Sequence, residues 1–245
     1  MVRVTLSLVL SVLFSVQVAF GAGLETWSYS GYDGPRHWGQ ITPDWLACER
    51  GTQQSPINLS HAFDTHLPAL ELFWNHTNWR IENTGTTLML TAEKPGHVMI
   101  GNRKFTLEYI DFHSPSEHAI GGQRFPMEVQ FVHRTRRGAR AAIAVMLRGG
   151  GRNDAMEAIM ARAPLEMGMD SLVPELDPVQ LVSDTGDLLR YRGSDTTPPC
   201  DENVEWTVLA DPVTISDAAI LAFTGLFHEN ARPLQKRNRR YILMD

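Results

Sequence analysis

Short segments of alternating or continuously apolar residues dominate the chain between residues 79 and 211, and turn residues such as Gly85 separate them. Segments of this length and composition predict β-strands. They are WRIENT (79–84), TLMLTA (87–92), HVMI (97–100), KFTLEYIDFH (104–113), MEVQFVHRT (127–135), ARAAIAVMLR (139–148), LLRYRGS (188–194) and VEWTVLAD (204–211). The pattern therefore predicts a mainly β, α+β fold.

Two segments have the apolar spacing of helices and begin with an N-cap residue. They are NDAMEAIMARA (153–163), capped by Asn153, and SDAAILAFTGLF (216–227), capped by Ser216. No linker rich in Pro, Gly or Ser and no block of charge divides the chain. We therefore predict one domain, residues 23–245, with a few peripheral helices.

The first residues, MVRVTLSLVLSVLFSVQVAFGAG, combine an early arginine, an apolar run and small residues, which is the layout of a signal peptide. We assign residues 1–22 to it and expect a secreted or periplasmic protein without a transmembrane segment in the mature chain. An uncleaved anchor is the alternative, although the apolar run is shorter than the roughly 20 residues that span a bilayer. In an oxidising compartment, two cysteines are expected to pair.

The formal net charge of −6 argues against a general nucleic-acid binder, because such proteins neutralise phosphates with Lys and Arg.

The segments 104–113 and 127–135 contain the residue types that carry chemistry. Strict alternation along the first segment from Lys104 places three polar side chains on one face. The second segment adds two polar side chains and one valine if the strands are neighbours. These six are Tyr109, Asp111, His113, Glu128, Gln130 and Val132. A lone histidine on a strand is more often a structural residue than a metal ligand, so the pattern alone does not establish a metal site.

Six motifs together resemble the α-class carbonic anhydrases, in that family's order and across nearly the whole predicted domain. They are WSYSGYDGPRHWG, QQSPINL, FHSPSEH, MEVQFVH, GSDTTPPCDENVEWTVL and NARPLQ. The resemblance implies a large central, mostly antiparallel twisted sheet with peripheral helices. It also implies a disulfide between Cys48 and Cys200.

In the family, three histidines hold a zinc ion whose bound water ionises and attacks CO2. The resemblance places these ligands at Asp111, His113 and Gln130, so one of the three is still a histidine. Supporting residues are better retained. The resemblance implies that Thr196 orients the zinc-bound hydroxide, that Glu117 accepts the Thr196 proton, and that Glu128 braces the third ligand position. The position that supports the first ligand departs from the family pattern and is Tyr109.

The resemblance also implies a cavity whose lining differs from the family pattern. Tyr29, Val132, Thr197 and Trp206 match family lining residues. Thr86 replaces the histidine that shuttles protons, and Asp195 introduces a carboxylate at a position that is usually Leu.

We interpret the chain as a secreted carbonic-anhydrase-like protein with absent or strongly impaired CO2 hydration and a binding or structural role, with an unknown protein or small-ligand partner. On this interpretation it holds no zinc or only a weakly bound divalent metal, and Asp111 and Gln130 hydrogen-bond each other across the strands, with Asp111 protonated if it is buried. The alternative is a functional carbonic anhydrase that acts on CO2 and bicarbonate through an atypical Asp111, His113 and Gln130 site. A weaker third idea is a hard-cation or esterase-like pocket.

Overall fold

A computed structural model describes residues 26–182 and 186–245. The predicted signal peptide, residues 1–22, and the first residues of the predicted domain lie outside the described ranges. None of the helices within these ranges is long and apolar enough to cross a membrane.

A large twisted sheet forms the centre of the molecule. In the described residues it has 12 strands in the main order β11-β4-β5-β7-β9-β10-β13-β12-β14-β2, with β3 and β6 branching from β7. Neighbours are antiparallel except for the parallel pairs β10–β13 and β14–β2. Strands β1 and β8 form a separate parallel pair. The strands are β1 (Asn58–Leu59), β2 (Phe63–Asp64), β3 (Leu70–Phe73), β4 (Thr77–Asn83), β5 (Leu88–Ala92), β6 (His97–Ile100), β7 (Arg103–His113), β8 (Ala119–Ile120), β9 (Met127–Arg134), β10 (Arg140–Arg148), β11 (Asp170–Leu176), β12 (Leu188–Ser194), β13 (Glu202–Thr214) and β14 (Leu243–Met244).

The predicted fold class is confirmed, and each of the eight predicted strand segments overlaps an observed strand. Six strands in the described residues were not predicted: the short β1, β2, β3, β8 and β14, and the longer β11, whose pattern Pro174 interrupts. Since β11 lies at the sheet edge, the missing N–H of Pro174 is tolerated there, and a bulge between Val173 and Leu176 accommodates the irregularity.

Four short helices lie around the sheet: α1 (Trp38–Ile41), α2 (Ala47–Arg50), α3 (Asp154–Met160) and α4 (Asp217–Phe227). Three 3-10 helices accompany them, at Gly31–Asp33, Pro43–Trp45 and Pro178–Leu181. Both predicted N-caps form. The Asn153 side chain accepts a hydrogen bond from Met156 N at 3.0 Å, and the Ser216 side chain accepts one from Ala219 N at 3.1 Å.

The two faces of the sheet bury different clusters. Ile110 and Phe112 of β7 belong to the larger core with Phe223 of α4. Ala142 of β10 and Trp206 of β13 belong to a second cluster on the other face. Because successive strand residues point to opposite faces, Asp111 and His113 of β7 face the second cluster.

The predicted disulfide between Cys48 and Cys200 is confirmed, with an S–S distance of 2.02 Å. It joins α2 to the loop between β12 and β13, and this loop contains Thr196. The disulfide packs with Trp38 in a small third cluster. The loop that carries Thr196 is therefore anchored covalently to the N-terminal part of the molecule.

Candidate functional site

Strands β7 and β9 run antiparallel and bring the predicted ligand positions together. Asp111 pairs with Gln130 and His113 pairs with Glu128 in the register of the two strands. All four side chains are buried, with relative exposures of 8% or less. The structure thus places Asp111, His113 and Gln130 side by side, while their role as metal ligands stays a prediction.

The strict alternation predicted from Lys104 is wrong at one point in β7. A register shift between Leu107 and Tyr109 adds one residue, so Leu107 faces the same core as Ile110. Unbroken alternation would have put Leu107 on the face of Asp111. A bulge of this kind re-aims the side chains that follow it, and here it turns Tyr109 and Asp111 toward the site.

The Gln130 amide links two buried carboxylates. Its Nε2 donates to Glu117 Oε2 at 2.8 Å and to Glu128 Oε1 at 2.9 Å, which uses both of its N–H groups. Among the described residues no hydrogen bond joins Gln130 to Asp111, so the predicted bond between this pair is wrong. The reason is that two carboxylate acceptors compete for the same two donors.

Asp111 and His113 present atoms that the surrounding protein does not satisfy. His113 Nδ1 lies 2.8 Å from the Asn230 carbonyl oxygen, which fixes the ring. His113 Nε2 lies 3.7 Å from Asp111 Oδ2 and 3.8 Å from Glu117 Oε2, distances too long for hydrogen bonds. Within the described ranges, His113 Nε2 and Asp111 Oδ1 are buried without a hydrogen-bond partner.

The neighbours of His113 favour the protonated, positively charged form of its ring. Burial alone would lower the pKa of His113, but the negative charges of Glu117 and Asp111 outweigh it and raise that pKa to about 10. Burial raises the pKa of Glu117. We nevertheless assign Glu117 as a carboxylate, because its oxygens accept from Gln130 Nε2 and from Arg232 N at 2.8 Å.

The Thr196 hydroxyl is a hydrogen-bond partner of Glu117 and favours its charged form. The roles of these two residues toward a zinc-bound hydroxide stay predictions. Thr196 is itself buried. The Thr196 hydroxyl, the Glu117 carboxylate and the Gln130 amide therefore form one hydrogen-bonded group.

Behind Gln130, a second hydrogen-bonded chain crosses the protein. Glu128 accepts from His118 N at 2.8 Å and lies 2.9 Å from His118 Nδ1. His118 Nε2 then lies 2.6 Å from the Tyr191 hydroxyl. Burial would raise the pKa of Glu128, but the contacts with His118 outweigh it and lower that pKa. Glu128 is thus held as a carboxylate between Gln130 and His118.

Arg140 forms an ion pair with Asp195, a contact that the sequence analysis did not predict. Both side chains are mostly buried, at 18% and 15% exposure. Burial raises the pKa of Asp195 to about 6, although the charge of Arg140 opposes the shift. Arg140 shares a face of β10 with Ala142, and this period-of-two pattern was the available signal. The carboxylate of Asp195 is therefore paired with the Arg140 guanidinium.

The structure gives contacts for the remaining predicted lining residues, whose role as the lining of a cavity stays a prediction. The Tyr29 ring centroid is 6.5 Å from that of His113, and Val132 is the register partner of Tyr109. The Trp206 ring lies 4.8 Å from that of His118. The backbone oxygens of Thr86 and Thr197 accept hydrogen bonds from Asn230 Nδ2 and Cys200 N, respectively.

The sequence profile of the family described as eukaryotic-type carbonic anhydrase matches residues 33–244. A carbonic anhydrase of Pectobacterium carotovorum is 35% identical over 98% of this chain and 98% of its own length.

Solved structures show the same similarity. An α-carbonic anhydrase from Thermovibrio ammonificans, in complex with the inhibitor sulfanilamide, has a TM-score of 0.87 and 33% identity, covering 90% of this chain and 100% of its own. A dioscorin complexed with ascorbate has a TM-score of 0.83 and 30% identity, covering 89% and 97%. The chain therefore belongs to the eukaryotic-type, or α-class, carbonic anhydrase family.

Proposed function

We propose that this member of the family binds a small polar molecule in a remodelled site and has absent or strongly impaired CO2 hydration. The observation that carries the proposal is the position of the Gln130 amide. Its two N–H groups are committed to Glu117 and Glu128, so it offers the site only a neutral carbonyl oxygen.

The residues at the three ligand positions do not fit the zinc ion that the family resemblance implies. Tight zinc sites are built mainly from histidine nitrogens and cysteine sulfurs. Here one nitrogen comes from His113, one anionic oxygen from Asp111 and one weak neutral oxygen from Gln130. A positively charged His113, favoured by Glu117 and Asp111, further opposes a second cation at the same place.

The Arg140–Asp195 ion pair also argues against CO2 as the ligand. CO2 is apolar and would need an apolar wall, which the family usually builds with Leu at the position of Asp195. A charged and mostly buried pair occupies this wall instead. A pocket with such a wall discriminates in favour of molecules that supply hydrogen bonds.

Unsatisfied buried atoms favour a polar ligand. Within the described part of the chain, Asp111 Oδ1, His113 Nε2 and Arg140 Nε are buried and have no hydrogen-bond partner. Buried donors and acceptors without partners are costly, so a molecule that satisfies them gains affinity. The dioscorin structure, complexed with ascorbate, provides a precedent for such a molecule in a relative of this chain.

The first test is stopped-flow CO2 hydration by zinc-supplemented protein. We expect a rate at the buffer background that a sulfonamide does not change. A rate well above background that the sulfonamide abolishes would establish the alternative, a functional carbonic anhydrase that uses Asp111, His113 and Gln130.

The binding role is tested by calorimetry with ascorbate as the probe. We expect binding that Asp111→Asn weakens at least tenfold, whereas Arg134→Gln, at an exposed ion pair with Glu108, leaves it unchanged. Equal binding by the natural protein and Asp111→Asn would contradict a ligand in this site.

We also propose that the protein is exported and that residues 1–22 are removed. N-terminal sequencing of the protein purified from its native host tests this proposal. A mature N-terminus near residue 23 is expected, and an intact Met1 would contradict cleavage.

A further inference from the structure

A groove of about 950 Å³ lies along β12 and β13, and its lining includes Tyr191 and Trp206, which also contact His118 behind the candidate site. Arg190 and Arg192 of β12 line it, together with their β13 register partners Thr207 and Glu205. Strand alternation puts these four side chains on the face opposite to the one that carries Gln130. The volume is in the range of sites that bind small organic molecules.

The lining of the groove is strongly basic although the chain as a whole has a net charge of −6. Glu205 is the one acidic residue among its lining residues, and its carboxylate is already paired with Arg103. A local excess of positive charge in a concave surface attracts and retains anions. The lining arginines are Arg103, Arg190, Arg192, Arg239 and Arg240.

Arg190 holds its guanidinium in a fixed position with one nitrogen, Nη2, unpaired. Its Nε donates to Thr207 Oγ1 at 3.2 Å and its Nη1 donates to the Pro68 carbonyl at 2.6 Å. Within the described ranges, its Nη2 is buried and has no hydrogen-bond partner. A planar, permanently charged fork with an open donor suits a carboxylate, phosphate or sulfate oxygen.

Apolar and aromatic side chains complete the groove. Leu67 and Ile100 are buried in its wall, and Tyr241 stands 69% exposed beside Leu243 at its rim. An inorganic anion would leave this apolar surface unused. From the arginines, the free Arg190 donor and the apolar wall, we propose that the groove binds a small organic anion that carries at least two carboxylate, phosphate or sulfate groups on an apolar body.

The proposal is tested by calorimetry on the protein with benzene-1,3,5-tricarboxylate as the probe. We expect binding that Arg190→Gln weakens at least tenfold and that high salt also weakens. Arg192→Gln, at an exposed position whose replacement spares the core, is expected to weaken binding severalfold, so the test does not depend on the folding of Arg190→Gln. Inorganic phosphate should bind at least tenfold more weakly than the tricarboxylate, because it has no apolar body.

Arg134, an exposed arginine outside the groove, supplies the matched control, and Arg134→Gln should bind the tricarboxylate like the natural protein. Arg140→Gln, in the candidate site, separates binding in the groove from binding in that site. Absence of binding, an affinity unchanged in both groove variants, or equal binding of phosphate would overturn the proposal. A loss confined to Arg140→Gln would also overturn it, since the anion would then lie in the candidate site.

Discussion

At the scale of single residues, Gln130 connects two buried carboxylates. A glutamine amide has two N–H donors and no charge, and here each donor contacts a different buried carboxylate. Glu117 and Glu128 can both stay ionised because Gln130 lies between them and because Arg232 N and His118 supply further donors. Gln130, which stands where the family has a histidine ligand, is thus part of the hydrogen-bond network.

Gln130→Leu removes both donors with little change of volume, so we expect a loss of about 2 kcal/mol in the free energy of unfolding. Urea denaturation measures this loss. Gln123→Leu, at an exposed position, is the matched control and should change stability by less than about 0.5 kcal/mol. If Gln130→Leu is as stable as the natural protein, the amide does not support the two carboxylates.

His113 makes stability depend on pH above neutrality. Its pKa is about 10 in the folded protein, against about 6.5 in the unfolded chain. The folded state therefore holds one more proton between these values, and its extra stability is complete below pH 6.5 and is lost as the pH rises toward 10. Denaturation curves between pH 6.5 and 10 should show this decline in the natural protein, and His113→Gln should flatten it.

His133 is the matched control for this measurement. Burial lowers the pKa of His133 to about 3, and Trp74 Nε1 donates to its Nε2 at 3.0 Å. His133 is therefore neutral in both folded and unfolded protein above pH 6.5. His133→Gln should leave the slope between pH 6.5 and 10 unchanged, and an unchanged slope in His113→Gln would contradict the assigned charge.

At the scale of secondary-structure elements, the ion pair of Arg140 and Asp195 joins the start of β10 to the loop after β12. Asp195→Leu restores the apolar residue usual in the family but leaves a mostly buried guanidinium without its carboxylate. We expect a loss of about 3 kcal/mol, since breaking a buried pair from one side costs more than replacing the pair.

A double-mutant cycle separates these effects. The double variant Arg140→Leu/Asp195→Leu should recover most of the stability that Asp195→Leu loses. Additive losses in the cycle would show that the two charges do not interact. Urea denaturation of the two single variants and the double variant supplies the comparison.

The elements also show which features a sequence pattern can predict. Eight strands were predicted because their apolar runs are long and bounded by turns. The bulge at Leu107–Tyr109 was not, because an extra residue in a strand changes the register without changing the local composition. The orientation of Asp111 and His113 was still predicted correctly, since alternation holds from Tyr109 to His113.

At the scale of the whole molecule, the disulfide closes a long segment of chain. Cys48 and Cys200 are 152 residues apart, and the loop-entropy relation gives about 5 kcal/mol of stabilisation for a loop of this length. Cys48→Ala/Cys200→Ala should lower the free energy of unfolding by about this amount. Reduction of the natural protein should produce a similar drop, and no drop in either case would exclude a stabilising role.

The order of six motifs along the chain predicted the family and the fold, because a resemblance spread over the whole domain constrains the topology. Contacts between distant parts of the chain could not be predicted in the same way. The ion pair of Arg140 and Asp195 and the groove around Arg190 depend on how loops and strands meet in space. Gln130 donates its hydrogen bonds to Glu117 and Glu128 and not to Asp111. This preference depends on local electrostatics that a sequence pattern does not contain.

The proposed function requires that the replacements at two ligand positions, Asp111 and Gln130, remove tight zinc binding. The direct measurement is the metal content, by mass spectrometry, of the natural protein and of Asp111→His/Gln130→His, both refolded with excess zinc. We predict no bound zinc in the natural protein and one zinc per chain in the double variant. One zinc per chain in the natural protein would contradict this prediction.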